Sequence, residues 1–183
     1  AIKINPNYAE GYNNLGDTQH ELLQYEDSII NHNRATLIKP SYEQAYASLA
    51  KTLTYHKPSK FSRELERKFL LILERENVIR PSEIAYPIIH LLKMHPDFPE
   101  IKAGFKFKLR DAIKVSKLPL FLKIIQLVPI PDLIFENLLV DLRRELLLKV
   151  KDSINETRYL EFQMALAIQS HLNGFIYEET IEE

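Results

Sequence analysis

Cysteine is absent from this chain, which excludes disulfide staples, thiolate zinc sites and cysteine nucleophiles. Glycine is scarce: Gly11, Gly16, Gly104 and Gly174 are the four in 183 residues. A phosphate-cradling loop needs several glycines within about eight residues so that the backbone can approach the anion, and so thin a supply does not build one. No apolar run approaches the roughly 18 residues of a membrane span. The densest clusters, Leu70–Leu73 and Leu146–Leu148, are bracketed by charges. The amino end, Ala1-Ile2-Lys3-Ile4-Asn5-Pro6, lacks the apolar core of a secretion signal. Neither sign of charge is in excess, with 24 basic and 25 acidic side chains, so the basic surplus of a nucleic-acid binder is missing. These absences leave a soluble globular chain with neither nucleic acid nor membrane as partner, and the cytoplasm as its default location.

What is present first is a repeat. Laid on itself with an offset of 34 residues, the chain pairs Ala1 with Ala35, Ile4 with Ile38, Pro6 with Pro40, and Tyr8 with Tyr42. The register continues through Ala9 and Glu43, Tyr12 and Tyr46, Leu15 and Leu49, and small Gly16 against small Ala50. A full unit runs from Ala9 to Tyr42. It opens on an aromatic-x-x-Leu-Gly run (Tyr12, Leu15, Gly16), starts a second helix at Tyr25, places small Ser28 and Ala35 on that helix, and stops at Pro40. This unit closely resembles a tetratricopeptide repeat, a helix–turn–helix module of the same period. Two departures are Ser28, where the family prefers alanine, and Leu23 in the turn, where glycine is usual.

The physics of the residues agrees with the resemblance. Tyr12, Leu15 and Gln19 are expected to form the packing stripe of the first helix, extended by Tyr8 and Leu22. Gly16, with no side chain, lets the second helix approach closely. Pro40 ends that helix, and Ser41 with Gln44 has the spacing of a capping box for the next. Pro6 acts as an earlier stop, so the chain is expected to open inside the last turn of a preceding repeat and to be cut from a longer protein.

The period fails after Thr54. Further helices are expected around Leu65–Leu73, from Ser82 through Ile84, Ile88, Leu91 and Leu92 with a disturbance at Pro87, near Phe105–Val115, and over Phe121–Val128. Another follows with Phe135, Leu138, Leu139, Leu142, Leu146 and Val150 on one side, and a last one is capped by Ser153 and Glu156 with Leu160, Met164, Ile168 and Leu172 on its apolar face. No run sustains strand alternation. The fold class is all-α: tetratricopeptide-type repeats over residues 1–56, then an irregular helical bundle as a capping or linker domain over 57–183. The segment Leu160–Glu183, with Leu172-Asn173, Phe175 and Tyr177, resembles the region after the repeats in bacterial proteins that fuse such repeats to a methyltransferase domain. Gly174 departs from that pattern. The resemblance implies a catalytic domain following Glu183, to which this chain would present substrate.

Chemistry-bearing motifs are few. His90 and His95 stand five apart, about 140° round a helix, so they do not share a face as metal ligands at i, i+4 would. No serine sits in a Gly-x-Ser-x-Gly elbow. The chain is therefore expected to be no enzyme and to hold no metal and no cofactor. The candidate binding face is the polar side of the repeat helices: Glu10, Asn13, Asn14, Asp17, His20 and Glu21 on the first, and Gln44, Ser48, Lys51 and Tyr55 on the third, with Ala47 and Thr54 between them. In the family this side lines a concave groove for an extended peptide or protein segment. Asn14 falls where related repeats carry a ladder of asparagines, whose amides offer donors and an acceptor to a peptide backbone.

Overall fold

The computed structural model describes residues 2, 4–75, 77–100, 108–130, 132–150 and 160–172. Among them are nine α-helices and no strand: α1 (Ala9–Glu21), α2 (Tyr25–Ile38), α3 (Glu43–Tyr55), α4 (Arg63–Leu73), α5 (Pro81–Lys93), α6 (Leu109–Val115), α7 (Pro119–Leu127), α8 (Leu133–Val150) and α9 (Leu160–Leu172). The chain divides into two compact units, 1–90 and 91–183. Within the first unit α4 packs against α3.

In the first unit α1 and α2 form an antiparallel pair. The partners run in opposite directions along the chain: His20 meets Tyr25, Gly16 meets Ser28, Asn13 meets His32, and Glu10 meets Lys39. A three-residue turn makes this possible through Leu23, whose φ of 61° is the left-handed conformation that glycine adopts without strain. The close approach at Gly16 is as expected, and the Ser28 hydroxyl donates to the Gly16 carbonyl at 2.8 Å.

The expected packing stripe of α1 is only partly covered. Tyr46, Leu49 and Leu53 of α3 are 3%, 0% and 0% exposed, whereas Leu15, the α1 counterpart of Leu49, is 40% exposed. The difference is one of neighbours: α3 has α1 and α2 to lie against, and α1 turns its Ala9, Asn13 and Gly16 side toward them. The Ser41–Gln44 capping box does not form either. Helix α3 begins after Tyr42, which makes no side-chain cap bond. Farther along, Ser62 caps α4 by accepting from the Leu65 N–H at 3.3 Å. Arg75, just past α4, lays its guanidinium 3.5 Å from the centre of the Tyr46 ring and donates to the Pro40 carbonyl and Glu43, fastening the end of α4 to the start of α3. Helix α5 runs through Pro87 without a break.

The second unit is organised by phenylalanine. Phe98 stacks on Phe135 at 5.1 Å between ring centres, Phe121 lies 6.2 Å from each of them, and Phe162 of α9 joins at 6.3 Å from Phe121. Pro119 sits in the first turn of α7, where its missing N–H costs nothing, and the Asp132 carboxylate accepts from the Phe135 N–H at 3.1 Å to start α8. Because Phe162 faces this cluster, α9 buries Phe162, Ala165, Leu166 and Gln169 and leaves Met164 and Ile168 exposed, the reverse of the expected face. The Ser153–Glu156 cap, residues 101–107 ahead of α6, and Asn173, Gly174, Phe175 and Tyr177 lie outside the described residues.

Candidate functional site

The polar side of α1 is built inward before it is built outward. Asn13, expected in the groove, is fully buried because Gly16 lets α2 close over it. Its Nδ2 donates to Asp17 at 3.0 Å, which leaves its Oδ1 to accept from His32 Nδ1 at 3.1 Å. The other ring nitrogen of His32, Nε2, is buried without a hydrogen-bond partner and stands 3.7 Å from the Asp17 carboxylate. Burial lowers the His32 pKa from 6.5 to about 4, against the pull of Asp17 and with help from His20 and Lys51. A neutral imidazole is therefore wedged between the helices.

Beside it a second polar chain ties three helices together. The Thr52 hydroxyl donates to the Ser48 carbonyl at 3.0 Å, so His20 Nδ1 is the donor to Thr52 Oγ1 at 3.1 Å. The His20 ring lies edge-on to Tyr25 and Tyr55, and those two tyrosines stack with a 21° interplanar angle. Tyr55 is thus held from behind while more than half of it stays in solvent.

In front of Tyr55 is a cleft of about 310 Å³. Ala47, Lys51, Thr54 and Tyr55 supply one wall, at spacings of four, three and one that share one side of α3. Val78 and Ile79 supply the other, carried there by the turn after α4, and Glu83 closes it from the first turn of α5. Asn77 makes that turn with a φ of 66°, a conformation asparagine tolerates better than most residues. Lys51 is exposed, and among the described residues no carboxylate pairs with it. The cleft therefore offers an ammonium donor, a carboxylate acceptor, a half-open phenol ring and two aliphatic side chains. Among the described residues no three His, Asp or Glu side chains are grouped to hold a metal ion.

The expected site residues separate into three groups. Lys51 and Tyr55 line the cleft, with His20 bracing Tyr55. Asn14, Glu21 and Gln44 are exposed beyond it, while Ser48 is half-buried. Asn13 is internal, Asp17 is tied to it with about half its side chain exposed, and Glu10 is paired with Lys39 at 2.8 Å. Sequence reasoning missed His32, although its position between small Ser28 and Ala35 on the contact side of α2 was a usable signal. Val78, Ile79 and Glu83 were also missed, because no register survives past Thr54 to place them.

Residues 1–30 match the model for the tetratricopeptide repeat. Over those residues the chain is similar to a tetratricopeptide repeat. Such repeats generally mediate protein–protein interaction, and the cleft lies on the α3 side of the repeat pair. Comparison with curated proteins and with solved structures returned no match for the chain. Among the described residues no helix is long and apolar enough to cross a membrane.

Proposed function

We propose that this chain is a peptide-binding scaffold module, without catalysis of its own, that holds an extended segment of a partner protein along α3. The observation that carries the reading is the cleft itself: Lys51, uncommitted to any ion pair among the described residues, beside the half-exposed Tyr55 ring and opposite Val78 and Ile79. Lys51 donates to a main-chain carbonyl or an acidic side chain, Tyr55 and the aliphatic pair accept an apolar side chain, and Glu83 draws a basic one. Asn14 and Gln44, both exposed, extend the polar track. The reading is tested by selecting peptides from a displayed library on the intact chain and measuring the best by calorimetry. Lys51→Glu and Tyr55→Ala are expected to weaken the selected peptide at least about tenfold, the worth of one charge-assisted hydrogen bond or one lost aromatic anchor. Unchanged affinity in both variants would refute it.

A further inference from the structure

A second cavity, of about 260 Å³, opens between α2 and the segment joining α3 to α4, and it shares no residue with the α3 cleft. Its floor is apolar, made by Ile29 and Leu65, and Ile30 stands at its edge with more than half its surface in water. His56 lines it with its side chain only 10% exposed. Among the described residues this ring has no hydrogen-bond partner: Glu26 Oε1 lies 3.6 Å from its Nδ1, too far to count as one. The imidazole therefore lines the cavity without a hydrogen bond to the chain, open to a donor that enters it. We propose that this cavity takes a basic side chain, arginine or lysine, from a peptide of a partner protein, with Glu26 and His56 as its acceptors.

The charges around the cavity select that chemistry. Burial lowers the His56 pKa against the opposing pull of Glu26, so the ring is neutral near pH 7 and keeps a lone pair to offer. Glu26 is 76% exposed and has that neutral ring beside it instead of a cation. Glu64, also in the lining, is bound to Lys68, so Lys68 is spent and Lys60 is the exposed cation of the wall. The acceptors Glu26 and His56 thus face the space over an aliphatic floor. An arginine or lysine fits both, its methylene stem on Ile30 and Leu65 and its donors on the two acceptors. Ile29, Ile30 and Leu65 give a side-chain stem an apolar rest beside the Glu26 carboxylate, which makes a basic peptide residue the occupant. The inference does not depend on the α3 cleft being a peptide site.

The test is an amide chemical-shift titration of the intact chain, isotope-labelled, with the blocked dipeptide acetyl-Leu-Arg-amide. Its citrulline counterpart, with the same shape and no charge, is the control. Saturable shifts are expected at residues 26–30 and 56–65, with affinity about tenfold weaker for the citrulline probe and for the exposed Glu26→Gln variant, as loss of a charge-assisted contact implies. Absence of saturable shifts there, equal binding of the two probes, or indifference to Glu26→Gln would overturn the proposal. Shifts confined to residues 47–55 and 78–83 would also overturn it, while leaving the α3 cleft as the one peptide site.

Discussion

Replacing Gly16 by alanine interrogates the contact on which the helix pair is built. A Cβ at Gly16 would stand 2.6 Å from Cε1, 2.7 Å from Nδ1 and 2.9 Å from Nε2 of the His32 ring, closer than real carbon contacts allow. The ring has little room to retreat: it is fully buried and anchored on Asn13. Overpacking of this kind costs about 1–3 kcal/mol, and a clash with a confined ring belongs in the upper half of that range. Against it, alanine favours the helix by about 1 kcal/mol over glycine. The expected net loss is about 1–2 kcal/mol. In a His32→Ala background the obstacle is gone and only the helix preference remains, so the same substitution should stabilise by about 1 kcal/mol. Urea unfolding of the four proteins, followed by circular dichroism, reads the change of sign directly. The same shift in both backgrounds would refute the contact.

Acid should loosen the same helix pair. Because the folded-state pKa of His32 is depressed from 6.5 to about 4, its contribution is fully present above pH 6.5 and is lost as pH falls toward 4. The loss amounts to about 3 kcal/mol at 1.36 kcal/mol per unit. His56, depressed in the same direction, adds to the slope. Melting temperatures between pH 7 and 4.5 should therefore fall steeply for the parent chain and less steeply for His32→Phe; equal slopes would remove His32 from the account. Leu23→Gly should stabilise the chain by about 1 kcal/mol, since it relieves a left-handed leucine that is 70% exposed and has little packing to lose; a lower melting temperature would show that Leu23 packs after all. In the second unit Phe135→Ala should cost about 3–5 kcal/mol, because that ring is fully buried against Phe98 and Phe121. A loss under 1 kcal/mol in chemical unfolding would mean that the aromatic cluster is not its core.

Much of the first unit is readable from residues. The 34-residue register places α1, α2 and α3, and small Gly16 and Ser28 mark their contact because only small groups let helix axes approach. The misreadings come from information that periodicity does not hold. A stripe such as Tyr12, Leu15 and Gln19 shows that a helix has an apolar side, but its burial depends on which neighbours are present. An asparagine such as Asn13 looks solvent-facing until a buried imidazole supplies its partner. The Ser41–Gln44 spacing fits a capping box, yet the helix starts later because the chain turns at Pro40–Tyr42 first. On α9, Met164 and Ile168 recur at helical spacing as well as Phe162, Ala165 and Gln169 do, and a cluster of phenylalanines from other helices decides between the two faces. The cleft at Lys51 was half legible: α3 is in register, while Val78, Ile79 and Glu83 reach it from a segment with no repeat to locate them.

The central claim, that the α3 cleft holds a partner peptide, is tested most directly by mapping where a library-selected peptide touches the chain. Amide shifts on titration into the labelled chain should cluster at residues 44–55 and 78–83, extend to the exposed Asn14, and weaken about three- to tenfold with Asn14→Ala, the worth of one hydrogen bond. Shifts clustered instead around Leu15, Leu22 and Leu23, with residues 47–55 undisturbed, would contradict it.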